Sequence, residues 1–184
     1  MISQNKYYIN KFLIKLSSLM IILLFAFSYS SCFTFRISGS GATITDEMKT
    51  FSVSYFPCRA PLASPTLGTE FTEKLKDKFS DQTSLELVNT VGHLHFEGEI
   101  KADGYKTEPI GVQANEIAAQ TRLTIQIQVI FVNEKDSEKN FDRVFSHYTD
   151  FSSDLSLDEV QNELNEEIID KIIEDIFNAA VVNW

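Results

Sequence analysis

The sequence predicts an α+β fold, in which two helices pack on one face of a mixed, mainly antiparallel sheet of about four to five strands. Thr121 to Val132 alternates apolar and polar residues over most of its length, as a strand with one buried face does. Two other stretches repeat apolar residues every three or four positions, as amphipathic helices do. One begins near Ser64, and the other begins at a capping box formed by Ser156 and Glu159. An apolar helix side must lie on another element, so we expect a single two-layer domain.

The first 31 residues are typical of an export signal. A lysine-containing start precedes an apolar stretch from Leu16 to Phe27, which is shorter than the roughly 20 residues of a membrane-spanning helix. A short box of mostly small residues follows and ends at Cys32. We expect residues 1–31 to be a lipoprotein signal peptide, Cys32 to be acylated, and residues 32–184 to form the α+β domain. The alternative is an ordinary secretory signal in which Cys32 happens to lie near the cleavage site.

The chain is acidic. It has 16 Lys and Arg residues against 26 Asp and Glu, and three of the lysines lie in the signal, so the mature chain has a net charge of −13. This charge opposes binding to nucleic acid and to anionic lipid surfaces. Fifteen Phe and six Tyr residues supply aromatic mass for a core. Once Cys32 is acylated, Cys58 is the one remaining thiol, so a disulfide within the chain is excluded.

The first half of the domain contains two strands and a helix. Residues 33–41 are expected to form the first strand, close behind the anchor. Thr50 to Phe56 alternates aromatic or branched residues with serines and is the second strand. The helix begins at Ser64, with Pro65 in the first turn, where the missing N–H costs nothing. It ends at residues 81–83.

The second half contains three strands before the last helix. Leu85 to Ile100 is a long extended segment with an interruption near its middle. Residues 101–116 contain glycines and a proline and are expected to be a loop. Residues 121–132 and the segment that begins at Phe141 are strands joined by a charged turn.

The sheet face away from the helices is expected to carry neutral polar side chains. They are Ser52, Ser54, Thr124, Gln126 and Gln128. A surface that meets only water usually carries more Lys and Glu. Neutral side chains also lose less hydration free energy than charged ones when a partner covers them. This face is therefore a candidate docking surface, and the alternative is a face covered by water alone.

Short segments spread over most of the mature chain form a consistent series. They are Thr50–Pro57, Arg59–Pro61, Pro65–Leu67, Phe71–Glu73, Leu75–Phe79, Phe96–Ile100 and Arg122–Ile125. In this order they resemble the LptE family of lipopolysaccharide-assembly outer-membrane lipoproteins. The resemblance implies a lipoprotein that binds the β-barrel protein LptD, sits partly within the barrel as a plug, helps it assemble, and supports insertion of lipopolysaccharide.

We therefore expect a non-enzymatic outer-membrane lipoprotein that faces the periplasm and needs no cofactor. The residues directly after Cys32 include no acidic cluster of the kind that directs lipoproteins to the cell surface in some bacteria. Direct contact with lipopolysaccharide ranks below the scaffold role, because the negative chain repels a phosphorylated glycolipid. The second hypothesis is a free-standing periplasmic lipoprotein that holds an apolar molecule between helices and sheet.

Loops and uncharged strand positions are the favoured places for docking residues. We expect the partner to contact the turn at 57–61, the loop at 104–120 and the neutral strand face. The predicted partner-binding residues are Arg59, Pro61, Gln113, Asn115, Arg122, Thr124, Gln126 and Gln128.

Two other sites are weaker candidates. His93, His95 and Glu97 alternate along one strand, a spacing that can place two imidazoles and a carboxylate near one metal ion. Polar residues that point at solvent give the same pattern, and we favour this explanation. Cys58 could be a nucleophile, but its proline-flanked loop offers no helix N-terminus and no histidine motif, so an unreactive thiol is expected.

Overall fold

One long strand organises the sheet. The computed structural model describes residues 47–111 and 120–181, which contain six strands and two long helices. The strands are β1 (Thr50–Val53), β2 (Glu86–Leu87), β3 (Leu94–Glu99), β4 (Tyr105–Ile110), β5 (Gln120–Asn133) and β6 (Phe141–Ser152). The helices are α1 (Leu67–Gln82) and α2 (Leu157–Val181). A 3-10 turn at Ser137–Lys139 lies between β5 and β6.

β5 has neighbours along both of its sides. β6 pairs antiparallel with it from Phe141, opposite Phe131, to Ser152, opposite Gln120. On the other side, β3 pairs with the C-terminal half of β5 and β4 with the N-terminal half, both antiparallel. β1 continues the sheet beyond β3, and β2 lies beyond β1, both in parallel pairs. The sheet is therefore mixed and mainly antiparallel, as predicted.

The two helices lie on the same face of this sheet and run parallel to each other. α1 contacts β1 and β2, whereas α2 contacts β5 and β6. Nζ of Lys74 in α1 lies 2.7 Å from Oδ1 of Asp170 and 3.1 Å from Oε1 of Glu166, both in α2. One turn further along both helices, Lys78 pairs with Glu174. The predicted fold class is thus confirmed. Neither of these helices combines the length and apolar character that crossing a membrane requires.

Aromatic rings fill the layer between helices and sheet. Phe79 of α1 is fully buried, and its ring centroid lies 5.7 Å from Phe51, 4.7 Å from Phe96 and 5.1 Å from Phe177. Phe96 in turn lies 4.8 Å from Phe131 on β5. The five apolar residues that alternate along the predicted strand are all buried in β5: Leu123, Ile125, Ile127, Val129 and Phe131. The core therefore joins both helices to the centre of the sheet.

The start of α2 follows the predicted capping box. The backbone N–H and the hydroxyl of Ser156 both donate to the Glu159 carboxylate, at 2.8 and 2.7 Å. These hydrogen bonds, the hydroxyl one first, lower the pKa of Glu159. The Glu159 carboxylate thus satisfies the Ser156 N–H, which is one of the two reciprocal hydrogen bonds of a capping box.

Several element boundaries differ from the sequence expectations. The predicted loop at 101–116 is wrong in part, because residues 105–110 form β4 and raise the described strands to six. Pro109 is tolerated there, since β4 pairs with β5 alone and a proline can occupy an edge strand. The strand predicted to end at Phe56 ends at Val53, after which Tyr55 is exposed and Phe56 buried.

α1 begins at Leu67, three residues later than predicted. The predicted strand at 33–41, the signal peptide and Cys32 lie outside the described residues.

Candidate docking site

The sheet face opposite the helices is called the outer face here. It is formed on β5 by the even-numbered residues, which alternate with the buried odd-numbered ones. They are Arg122, Thr124, Gln126, Gln128, Ile130 and Val132. Val132 is exposed and the other five are half-buried. Four of the predicted partner-binding residues thus lie in one row along the central strand.

The outer face is neutral only at its centre. Thr124, Gln126 and Gln128 are paired across β6 with Tyr148, Ser146 and Val144, none of which is charged. Charged residues of β3, β4 and β6 surround this centre. They are Glu97, Glu99, Lys106, Glu108, Asp142 and Asp150. The expectation of a neutral face therefore holds for the middle of β5 and needs correction for the margins, because neighbouring strands contribute the charges.

A shallow hollow of about 330 Å³ opens on the outer face between β3, β5 and the segment that follows β1. Its wall includes Gly98, Gln128 and Ile130. A Cβ atom at Gly98 would lie 2.0 Å from the Gln128 carbonyl oxygen and 2.7 Å from the Phe56 ring. Only a glycine fits at this position, and it allows the backbones of β3 and β5 to approach closely.

Arg59 lies at the rim of this hollow. Its Nε atom is 2.7 Å from Oε2 of Glu99, which lines the hollow. The backbone is fixed as well, because Arg59 N–H donates to the Ile100 carbonyl at 2.8 Å and Ile100 N–H donates to Pro57 at 3.0 Å. The turn that holds Arg59 is therefore an extension of the sheet and not a free loop.

Pro61 and the next residue, Leu62, are exposed beyond this turn. Gln161 of α2 donates from Nε2 to the Leu62 carbonyl oxygen at 2.9 Å, which ties the turn to the helix layer. The side chain of Leu62 is 58% exposed and presents an apolar surface next to Arg59. Gln113 and Asn115 lie outside the described residues.

Arg122 forms the most ordered polar cluster on the outer face. Its Nε and Nη2 atoms donate to the two carboxylate oxygens of Asp150, at 2.8 and 2.9 Å. The guanidinium carbon also lies 3.7 Å from the ring centroid of Tyr148. The hydrogen bonds to Asp150 raise the pKa of Arg122, and the same bonds lower the pKa of Asp150.

Tyr148 is not among the residues predicted to bind a partner. Its position can be found from the register of the hairpin that β5 and β6 form. Counting outward from the charged turn places Tyr148 opposite Thr124 and Asp150 opposite Arg122. Half of the Tyr148 surface is exposed, at 51%. An aromatic ring fixed by an arginine is a typical interface anchor.

The histidine candidates are engaged with neighbouring hydroxyl groups. His93 Nδ1 lies 2.7 Å from Thr50 Oγ1, and His95 Nδ1 lies 2.7 Å from Ser52 Oγ. The nearest Glu97 carboxylate oxygen is 3.8 Å from His95 Nε2. Among residues 47–111 and 120–181, no three His, Cys, Asp or Glu side chains converge as a metal site would require.

Ser52 belongs to the framework of the sheet. It is 5% exposed, and its hydroxyl accepts a hydrogen bond from Gly92 N–H at 2.9 Å in addition to its contact with His95. A side chain with two internal partners is not available to a docking protein. The predicted polar face therefore loses this residue, whereas Ser54 lines the hollow.

Cys58 is half-buried and packs against the core, while its backbone bridges to Ile100. Near it, Tyr105 donates from its hydroxyl to Oδ1 of Asn165 at 3.0 Å. Burial raises the pKa of Tyr105. Asn165 is 1% exposed, and no residue of the described ranges accepts a hydrogen bond from its Nδ2 atom. These polar groups fix β4 beneath α2 and do not form a catalytic arrangement with Cys58.

The architecture defines a two-layer α+β domain whose helices cover one sheet face and leave the other open. The chain belongs to the LptE family, because the model of this lipopolysaccharide-assembly family matches residues 48–180. The resemblance found in the sequence is thereby confirmed. The family is non-enzymatic, and membership makes the chain a lipoprotein of lipopolysaccharide assembly. No curated protein matches the chain.

Three solved structures of low sequence identity are similar to this chain. The hypothetical protein CT253 from Chlamydia trachomatis has a TM-score of 0.50 and 9% identity, over 72% of this chain and 98% of that chain. Rare lipoprotein B from Shewanella oneidensis has a TM-score of 0.46 and 8% identity, over 71% of this chain and 90% of that chain. A minor lipoprotein from Acinetobacter baumannii has a TM-score of 0.46 and 11% identity, over 74% of this chain and 98% of that chain. At such identity, the likeness to the Chlamydia protein concerns the fold alone.

Proposed function

We propose that this protein is the lipid-anchored partner of an LptD-like outer-membrane β-barrel. In this role it acts as a plug and scaffold for the barrel during lipopolysaccharide transport and faces the periplasm. Membership of the LptE family supports the pathway. The single structural observation that carries the docking role is the open outer face.

Three properties of the outer face suit a protein partner. Its centre at Thr124, Gln126 and Gln128 is polar without charge, so covering it costs little desolvation free energy. Arg122 and Tyr148 form an ordered anchor beside this centre. The surrounding charges form a polar rim of the kind that interfaces have.

The acidic residues of the outer face favour a scaffold role over direct binding of a phosphorylated glycolipid. Arg59 pairs with Glu99, Lys106 with Glu108 and Arg122 with Asp150. A cation already paired with a carboxylate attracts a phosphate less strongly. Contact with lipopolysaccharide through these three side chains would require the ion pairs to open.

The alternative function, storage of an apolar molecule between helices and sheet, finds little support in the described layer. Phe51, Phe79 and Phe96 are fully buried and pack against one another there. A ligand would have to displace rings in a closely packed core, at a cost of several kcal/mol. The hollow at Gly98, in contrast, lies on the other side of the sheet.

The lipid anchor at Cys32 would keep the domain near the membrane. Fourteen residues separate Cys32 from Glu47, where the described residues begin, so the extended chain between them can span at most about 54 Å. In cells depleted of the barrel, we expect the Cys32→Ala variant to leave the outer-membrane fraction and appear in the soluble periplasmic fraction, because neither acyl chains nor the barrel then hold it. Retention of this variant in the outer membrane in the absence of the barrel would contradict the lipid anchor.

The docking role is tested by co-purification from detergent-solubilised envelopes. The double variant Thr124→Lys and Gln126→Lys places two charges at the centre of the outer face and should reduce recovery of the barrel at least tenfold. Its control is Ser80→Lys with Gln82→Lys, two exposed positions of α1 that add the same charge on the helix side. Equal recovery of the barrel with both double variants would refute docking through the outer face.

A further inference from the structure

β6 has a free edge within the described part of the chain, and the hydrogen bonds of β5 show which backbone groups it presents. The backbone N–H of Gln126 donates to the carbonyl oxygen of Gly104, which precedes β4. The backbone N–H of Glu134 donates to the carbonyl oxygen of His93, which precedes β3. The even-numbered residues of β5 therefore direct their backbone groups to the side of β3 and β4, and the odd-numbered ones to β6. The continuous register then pairs the odd-numbered residues of β6 with β5. The even-numbered residues from Asp142 to Asp150 turn their N–H and C=O groups outward.

This edge is unusually suited to accept another strand. β6 is 12 residues long and contains neither proline nor glycine, whereas β2, at the opposite side of the sheet, has two residues. Proteins usually shorten, bulge or cover such edges, because unpaired backbone groups attract other strands. Val144 and Tyr148 stand beside the edge on the outer face and are 54% and 51% exposed. An added strand could cover both.

On the helix side, the edge is flanked by an acidic row of α2. Glu163, Glu167, Lys171 and Asp175 follow one another at four-residue spacing, and the row has a net charge of −2 although Lys171 pairs with Glu167 at 2.6 Å. The one arginine of β6, Arg143, is paired with Val129 of the helix side and lies over the rings of Phe141 and Phe145. Glu167 accepts a hydrogen bond from Thr149 at 3.1 Å, and Asp175 lies 2.7 Å from His147 Nε2, so the row lies over β6. The opposite flank of α2 differs, because Lys74 and Lys78 of α1 pair with its carboxylates.

We propose that the β6 edge binds an extended segment of a partner protein by strand addition. The segment alternates apolar residues, which cover Val144 and Tyr148 on the outer face, with basic residues, which face the acidic row of α2. Backbone hydrogen bonds to the even-numbered residues of β6 supply the affinity, and the two side-chain rows select the sequence. This edge adjoins the neutral centre of the outer face and shares Tyr148 with its anchor. The proposal concerns the outward backbone groups of β6 and is tested with peptides in the absence of the barrel, so it does not rest on docking to the barrel.

The test uses the full chain in a nonionic detergent and a nine-residue peptide of alternating valine and lysine with blocked ends. A valine–glutamate peptide of the same length is the matched control. Ser146→Pro removes one outward N–H in the middle of the edge and leaves the bonds to β5 intact. Ser146→Ala keeps that N–H. Binding is measured by fluorescence anisotropy, and hydrogen exchange reports which amides the peptide protects.

We expect the valine–lysine peptide to bind at least tenfold more tightly than the valine–glutamate peptide. Ser146→Pro should weaken its binding at least tenfold, and Ser146→Ala less than twofold. In the unsubstituted protein, the bound peptide should slow exchange at Val144, Ser146 and Tyr148. This second measurement keeps the test decisive if Ser146→Pro does not fold.

Four results would overturn the proposal. They are the absence of binding, equal binding of both peptides, unchanged binding by a folded Ser146→Pro variant, and protection of the even-numbered amides before any peptide is added.

Discussion

Arg122 and Asp150 face each other across β5 and β6, and two hydrogen bonds of 2.8 and 2.9 Å join the guanidinium to the carboxylate. The bidentate geometry fixes the plane of the guanidinium, which lies over the ring of Tyr148. One ion pair thus orients both a cation and an aromatic ring at the surface that we assign to docking.

The first prediction concerns the acid side of this pair. In an Arg122→Gln variant, the pKa of Asp150 should rise toward its ordinary value of 3.8, because the hydrogen bonds from Arg122 hold it lower. A carboxyl with a lowered folded-state pKa stabilises the fold above its unfolded-state pKa, and this contribution is lost as the pH falls through the folded-state value. The wild type should therefore lose more stability than the variant when the pH falls below about 4. NMR titration of the Asp150 carboxyl checks the shift, and an unchanged value would contradict it.

The second prediction concerns the close approach at Gly98. Gly98→Ala should lower the free energy of unfolding by about 2–3 kcal/mol, because the new Cβ would collide with the Gln128 carbonyl oxygen. Gly111→Ala is the control: its φ is +76°, but among the described residues other than its chain neighbours no atom lies within 4 Å of the added Cβ. The control should cost about 1 kcal/mol, from backbone strain alone. Urea unfolding measures the free energy of unfolding of both variants. Equal losses of stability would show that the contact with Gln128 does not contribute to the cost of Gly98→Ala.

The third prediction concerns the buried polar pair beneath α2. Tyr105→Phe should cost about 1–3 kcal/mol, because it removes the hydroxyl that donates to Asn165 Oδ1, and Asn165 then has no hydrogen-bond partner among the described residues at either Oδ1 or Nδ2. Adding Asn165→Leu should recover most of this loss, since the buried amide disappears with it. A double-mutant cycle by urea unfolding measures the coupling. Strictly additive losses would refute it.

The fourth prediction concerns the aromatic core. Phe79→Ala should lower the free energy of unfolding by about 3–5 kcal/mol, because the ring is fully buried and contacts three other phenylalanines. Tyr55→Ala, at a side chain that is 58% exposed, should change it by no more than about 0.5 kcal/mol. Similar losses in the two variants would indicate that the helix layer packs more loosely than the contacts imply.

The elements with strong local periodicity were predictable from the sequence. β5 and α2 have long apolar repeats, and both lie where these repeats place them, with the capping box of α2 in position. β4 was not predictable in the same way. Lys106, Glu108 and Pro109 resemble a loop, and this segment is a strand because β5 offers it backbone partners.

The composition of the candidate site depends mainly on contacts between distant segments. Thr124 and Gln126 could be placed on one face from the alternation of β5 alone. The contribution of Tyr148 follows from the hairpin register, and the charged margin follows from the pairing of β3 and β4 with the same side of β5. Neither arrangement leaves a repeat in the local sequence.

The position of β5 also determines the order in which an exported chain can fold. Only seven residues separate β5 from β6, so this hairpin closes rapidly, whereas Phe51 and its partner Leu94 are 43 positions apart. In the export that we propose, the chain would enter the periplasm from its N-terminus, so β1 would arrive before β3 and β5. The buried ring of Phe51 would then stay exposed until those strands follow, and we expect a periplasmic chaperone to shield it in the meantime.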